Sequence, residues 1–373
     1  MIVIKEAKTK KEMKQYVMFP FKLYKDNKYW VPPIIKDELN GFDRTKNPVF
    51  KHATVTYLLA YKNNEIVGRV AAIMNQTEIN IQKIRKMRFG WFDVIDDIEV
   101  TKALLNEVYK IGKENKLDIV EGPVGFSNMD KVGVLTKGYD SLGTMITWYN
   151  HPYYVSHFEQ LGYEVGKDFR ETTIAIDNID NTKYAKFAKI LKRRYGFKSL
   201  EFTDSKDIMP YVEDMFKLFE LSFAKLASFV PISDEQVQFF KKKYISFINP
   251  EYIKFVLDKE DNLISFSILM PYFAEAFQKA NGKLFPFGFR HFLKAKKKND
   301  TVISYLIGVH PDFQSKGVTA IVFDDFYQSV IANNIKTMII TPQLKNNDAV
   351  RKIWLDFKPE YHKERCTYVK NIK

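Results

Sequence analysis

Cysteine is all but missing from this chain: Cys366 is the single one in 373 residues. A disulfide framework and a cysteine-ligated metal site are both excluded, and the usage fits a reducing compartment. A cytoplasmic location is therefore expected. Histidine is sparse as well. The six are scattered, with no His-x-x-x-His or His-Glu-x-x-His spacing, so no metal is expected. No apolar run reaches the roughly 18 residues of a membrane-crossing helix. The opening "MIVIKEAKTKKEMKQYV" has no sustained apolar stretch, and no signal peptide is expected. A Gly-x-Gly-x-x-Gly after a strand, a phosphate loop ending in Lys-Ser/Thr and a Gly-x-Ser-x-Gly elbow are all absent. These absences argue against dinucleotide, nucleotide and serine-hydrolase chemistry.

What is present describes an ordinary folded protein. Hydrophobic residues make up 46% and charged residues 28% of the chain, and the 31 Phe and 21 Tyr argue against disorder. The length suits two domains of about 100–200 residues each. The formal charge of +13 admits a polyanionic partner, either nucleic acid or a phosphorylated cofactor. The basic runs "KILKRRYGFK" (Lys189–Lys198) and "KAKKK" (Lys294–Lys298) read as solvated faces, so nucleic acid is not expected.

Short apolar, β-branched and aromatic runs alternate with helical spacing, the pattern of a mixed α/β chain. "TVTYLLAYKNNEIVGRVAAIMN" (54–75) predicts a hairpin turning at "KNNE". "RFGWFDVI" predicts a strand, "EVTKALLNEVYKIGKENK" a helix and "LDIVEGPV" another strand. "NHPYYVSHFEQLGYEVG" predicts a short helix stopped at Gly162, with a strand after it. The second half repeats this order. It has helices over 208–226 and 233–248, a hairpin turning at "KEDN" and a strand over 300–311. A helix, the strand "IKTMIITPQ", a short helix over 346–357 and the strand "ERCTYVK" follow. The shared order implies a duplicated fold with a seam near 176–186, hence domains at 1–180 and 181–373. Each is expected to be a mixed sheet with flanking helices.

Between the strand over 300–311 and the next helix stands "QSKGVT", Gln314–Thr319. Apolar packing asks for none of these residues there. A helix start leaves about four backbone N–H groups unbonded and carries partial positive charge, so it attracts anions. Gly317 allows close backbone approach, and Lys316 adds a cation. The expected ligand is a pyrophosphate. The matching loop of the first half is acidic, with Asp93, Asp96, Asp97 and Glu99, and would repel one.

On these residues the chain resembles the GNAT N-acyltransferase superfamily. "VHPDFQSKGVTAIVFDDF" is similar to that family's Gln/Arg-x-x-Gly-x-Gly/Ala acyl-CoA motif. Gln314 takes the first position, Gly317 the second, and Thr319 stands where Gly or Ala is usual. Its branched Cβ narrows the pocket, while its hydroxyl can reach a phosphate oxygen. "NNDAVRKIW" resembles the family's Asn-headed helix beside the pantetheine arm, and "YNHPYYVSHFEQLGYE" resembles the same motif in the first half. The wider pattern of "YWVPPI", "NPVFKHA", "EGPVGFSN" and "PFGF" is similar to an uncharacterised bacterial group with two such domains.

The resemblance implies an α/β fold of two GNAT-like domains in tandem, the N-terminal copy degenerate. It implies acetyl-CoA or a longer acyl-CoA as co-substrate. It places that cofactor on Ile307, Val309, Gln314, Ser315, Lys316, Gly317, Val318, Thr319, Asn346 and Asn347, with the Val309 N–H as oxyanion donor. The family's usual acid, a Tyr on the Asn-headed helix, falls on Ile353 or Trp354. Neither can protonate a thiolate, although Trp354 can pack against pantetheine. Tyr305 is the substitute acid. Glu275, within the insertion "PYFAEAFQKANGKLFPFGFRHFL", is the candidate base, directly or through water. That insertion suits a lid or acceptor pocket. The function implied is acyl transfer from CoA to the amine of a small molecule or peptide. Two alternatives stand beside it, an acyl-CoA sensor without catalysis and a Fem-like transferase using aminoacyl-tRNA.

Overall fold

A computed structural model describes residues 1–127, 129–224, 229–244, 248–347 and 354–372. The first half supplies β1 (Ile2–Glu6), β2 (Ala53–Lys62), β3 (Glu65–Asn75), β4 (Lys86–Val94), β5 (Ile119–Gly122), β6 (Val134–Lys137) and β7 (Glu164–Ala175). The second supplies β8 (Lys198–Leu200), β9 (Ile253–Leu257), β10 (Leu263–Pro271), β11 (Thr301–Val309), β12 (Thr337–Leu344) and β13 (Glu360–Asn371). Local chemistry sets the turns. Asn63 and Asn64 both take positive φ, 52° and 64°, between β2 and β3, as a two-residue hairpin requires.

Helices α1 (Lys10–Leu23), α2 (Ile35–Gly41), α3 (Ile98–Glu114) and α4 (Tyr153–Gln160) belong to the first half. The second half adds α5 (Thr182–Tyr195), α6 (Ser205–Ile208), α7 (Val212–Phe223), α8 (Asp234–Tyr244), α9 (Ala274–Ala280), α10 (Phe289–Lys297) and α11 (Val318–Ala332). Both faces of the sheet are covered. Along β2, Leu58 and Ala60 join Val100, Leu104 and Val108 of α3 in one core. The alternating Val55, Tyr57 and Leu59 join Tyr16 and Val17 of α1 in another. In the second half Val256, Ile264 and Val302 pack with Val318, Ile321 and Val322 of α11. Phe255, Phe266 and Ile268 pack with Val212, Phe216 and Phe219 of α7 on the opposite face.

The strand order is β1-β2-β3-β4-β5-β13-β7-β12-β11-β10-β9-β8, with β6 on the side of β13. All neighbours are antiparallel except β4–β5 and β11–β12. Each parallel pair is bridged by one helix, α3 or α11, because parallel neighbours need a crossover. These two units are the structural mark of the duplication. The sheet does not break near residue 180. β13 sits between β5 and β7, and β7 sits between β13 and β12, so each half is completed beside a strand of the other. Tyr368 of β13 stacks on Phe158 of α4 at 4.5 Å inside the first core.

Candidate functional site

β11 and β12 pair from Thr301↔Thr337 to Ser304↔Ile340 and then part, although both strands continue. Each stays bonded on its outer side, β11 to β10 as far as Val309 and β12 to β7 as far as Leu344. The parting begins at a bulge. Ser304 opposes Leu269 and Leu306 opposes Ile268, which leaves Tyr305 as the extra residue and re-aims its side chain. His310 N–H donates to the Ile264 carbonyl. The Ser265 and Ser267 hydroxyls donate to the Gly308 and Leu306 carbonyls at 2.9 and 3.1 Å. Backbone alternation therefore turns the N–H groups of Ile307 and Val309 into the gap. No acceptor meets them among the described residues.

The gap leads along the chain to the corner. Pro311–Lys316 forms a tight helical turn, Gly317 takes φ of 75°, and α11 starts at Val318. No side chain caps this start, and its first turn holds no acidic residue. The Ala320 N–H reaches the Gly317 carbonyl at 2.9 Å. The N–H groups of Gly317, Val318 and Thr319 have no acceptor among the described residues. Gln314, Ser315, Lys316 and Gly317 are exposed. In the first half the same corner is occupied: Asp97 caps α3 by accepting from the Glu99 N–H at 3.0 Å and pairs with Lys62 at 2.7 Å. A carboxylate stands where an anion would bind.

The gap opens into a cavity of about 270 Å³ walled by Tyr305, Ile307, Thr341, Leu344, Asn347 and Trp354 among others. A second cavity of about 210 Å³ has a largely apolar wall that includes Val31, Ile34, Phe42, Phe126, Phe240 and Phe277. The two share Ser127, Met129, Asp130, Lys131, Ile146 and Tyr305. Tyr305, on the second half, and the loop carrying Asp130, on the first, thus meet at the junction.

That loop is held from below. A Cβ on Gly125 would lie 2.2 Å from Asp130 Cβ, so only glycine lets the loop fold this tightly. Asp130 Oδ2 accepts from the Ser127 N–H and hydroxyl at 2.9 and 3.1 Å. Arg88 Nη1 donates to the Gly125 carbonyl at 3.0 Å, and the same guanidinium forks onto Glu78 with two bonds of 2.6 Å. Lys86 bridges Glu78 and Glu121 at 3.0 and 2.9 Å, and Lys167 pairs with Glu121. Burial alone would raise the Glu121 pKa, but Lys86 and Lys167 hold it down at about 2. Burial holds the Lys167 ammonium below its usual range despite Glu121. Arg88 and Lys167 reach the cavity wall, so a net positive floor lies under it.

Of the residues singled out in the sequence, Tyr305, Ile307, Asn347 and Trp354 come together in the cavity wall. Gly317, Val318 and Thr319 present their amides at the corner. Gln314 turns inward instead, its side-chain amide donating to the Val309 carbonyl at 3.2 Å. Lys316 Nζ lies 4.2 Å from the Phe313 ring centre, and Asn346 is an exposed turn residue. Glu275 does not join them: it lies on the exposed side of α9, paired with Lys279 at 3.0 Å. Residues 348–353 of the Asn-headed helix, Ile353 included, lie outside the described residues. Trp354 packs on Phe323 at 5.2 Å, and its buried indole N–H has no acceptor among the described residues. Ser127, Asp130 and Lys131 escaped the sequence reading. "GFSNMDK" is ordinary loop composition, and only the folded arrangement turns it toward the cavity.

No protein-family model matches the chain. It is 24% identical over 307 residues to protein YghO of Escherichia coli (strain K12), covering 82% of this chain and 78% of that one. It is 24% identical over 318 residues to a bacterial ceramide synthase of Caulobacter vibrioides, covering 83% and 80%. Among solved structures, it superposes on a tandem GNAT protein from the clavulanic acid biosynthesis pathway with a TM-score of 0.59. Identity there is 8%, over 100% of this chain and 99% of that one. A GCN5-related N-acetyltransferase from Sphaerobacter thermophilus superposes with a TM-score of 0.52 at 9% identity, over 100% and 96%. The fold is therefore a tandem GNAT fold, as its two parallel crossover units suggest.

Proposed function

We propose that the protein is an acyl-CoA-dependent N-acyltransferase whose acceptor is a long-chain amine. One observation carries the reading: a strand gap links the start of α11, where three amides have no acceptor among the described residues, to a cavity that adjoins a largely apolar one. The pyrophosphate of CoA would lie on the N–H groups of Gly317, Val318 and Thr319. The pantetheine arm would run along Ile307 and Val309 as an added strand, meeting N–H groups that have no acceptor among the described residues. Trp354 would offer its indole N–H to an amide of that arm. The second cavity would take the alkyl chain of the acceptor. The likeness to a ceramide synthase supports this choice, since a ceramide is a long-chain amino alcohol acylated on nitrogen.

In the reaction the amine nitrogen attacks the thioester carbonyl carbon, an amide C–N bond forms and the C–S bond breaks. Entropy lost on docking both chains in one groove is the main lever on the rate. The Val309 N–H faces the gap and would stabilise the oxyanion. Tyr305 would protonate the leaving thiolate and recover a proton from the amide nitrogen as the tetrahedral intermediate collapses. Asp130, across the junction, would take the proton from the acceptor ammonium.

The test combines purified protein, a long-chain acyl-CoA and a panel of amines that includes sphinganine and short polar amines. Thiol release and amide mass are read together. The expected outcome is turnover with long-chain amines above the short ones. CoA binding without thiol release on any amine would instead favour an acyl-CoA sensor.

A further inference from the structure

The segment between β10 and β11 faces solvent with surface that the proposed reaction does not use. Phe285, Phe287 and Leu293 are 75%, 63% and 54% exposed. From Lys279 to Lys298 the chain carries seven Lys and Arg and no Asp or Glu. Lys279 pairs with Glu275. Lys283, Arg290, Lys294, Lys297 and Lys298 meet no carboxylate among the described residues.

The segment is fixed in place. Phe292 is buried against Phe277 and Phe273, with ring centres 4.8 and 5.9 Å away. The Ile35 N–H donates to the Gly282 carbonyl at 2.9 Å, and the Phe289 N–H to the Leu284 carbonyl at 2.7 Å. α10 thus points Phe292 inward and leaves Leu293, Lys294 and Lys297 outside. Arg290 lies 5.3 Å from the Phe287 ring centre, its charge held beside the aromatic tip.

We infer that this segment docks the protein onto an anionic phospholipid surface. Phe285, Phe287 and Leu293 enter the acyl boundary, and the surrounding cations meet lipid phosphates. Two features favour lipid over other polyanions. An exposed Leu among the Phe side chains offers nothing to a nucleotide base but suits an alkyl layer. The segment also grows from the cavity wall: Phe277, the partner of Phe292, lines the apolar cavity. The inference does not depend on acyl transfer, because docking needs no acyl donor.

The test is co-sedimentation of the full chain with vesicles of phosphatidylcholine alone or mixed with phosphatidylglycerol. Binding to the mixed vesicles, weakened by added salt, is expected. Phe285→Ser with Phe287→Ser should lower partitioning at least about tenfold. Lys294→Gln with Lys297→Gln and Lys298→Gln should do the same on the anionic vesicles. Unchanged melting temperatures keep both variants interpretable. A polarity-sensitive dye on Phe287→Cys should shift to the blue on these vesicles, and buried Cys366 leaves that label unique. Wild-type protein that sediments with neither vesicle, or variants that bind like wild type, would overturn the inference. So would duplex-DNA binding lost in the lysine variant with no vesicle binding, which assigns the face to nucleic acid.

Discussion

Replacing Gly317 with Asp tests the corner with a single carboxylate. The backbone there has φ of 75°, and a Cβ would meet nothing closer than Leu191 Cδ1 at 3.4 Å. Asp tolerates the left-handed region better than most residues, so the folding cost is about 1 kcal/mol. The electrostatic cost to a bound pyrophosphate is larger. Two like charges about 4 Å apart repel by about 4 kcal/mol at an effective dielectric constant of about 20. That corresponds to a Kd for CoA weakened about a thousandfold. Gly317→Asn has the same shape and similar tolerance of φ but no charge, and should bind CoA far closer to wild type. Calorimetric titration with CoA measures both. A melting-temperature series adds a check, because ligand at about 100 times its Kd stabilises by about 2.7 kcal/mol, and the Asp variant should show none of this. Salt should narrow the gap between the two variants. An Asp variant that binds CoA within about threefold of wild type, a difference under 1 kcal/mol, would refute the placement of phosphate at this corner.

The buried ionic row under the cavity gives two further expectations. Arg88→Met leaves Glu78 facing Lys86 alone and releases the Gly125 carbonyl, which should cost about 3–5 kcal/mol in urea unfolding. The double variant with Glu78→Met should recover part of this, and a loss below about 1 kcal/mol in the single variant would contradict the tie. Glu121 titrates at about 2 in the fold, against an ordinary 4.5. Its stabilisation is therefore complete above pH 4.5 and disappears as pH falls toward 2, on the order of 3 kcal/mol. Glu121→Gln should flatten the fall in the urea midpoint over that window, and an unchanged slope would count against the pairing with Lys86 and Lys167.

Much of this fold is legible because its signals are local. Asn63 and Asn64 announce the first hairpin, and the spacing of Val100, Leu104 and Val108 announces α3. The acidic loop at Asp97 announces a helix start closed to anions, and Asp97 does cap α3. The corner at Gly317 is legible for the same reason, since one residue with positive φ sets it. The exchange of β7 and β13 is not legible. Alternation along a strand tells which face is buried but not which neighbour it meets. The ionic row was equally hidden: Glu78 and Arg88 look like solvent residues in sequence, and only pairing makes their burial tolerable. Glu275 misled because a carboxylate in an aromatic insertion looks enclosed, whereas α9 turns it outward. Asp130 lay unseen because only the fold brings its loop to the cavities that Tyr305 also lines.

The interleaving of β13 between β5 and β7 also constrains how the polypeptide is made. On the ribosome, the first half emerges with an open seam beside β5, and the strand that fills it, β13, is synthesised only after the other strands of the second half. A nascent chain therefore cannot finish one lobe and start the next, as beads on a string would. Proteolysis in the linker or expression of either lobe alone should yield sticky, unclosed sheets, not two working modules.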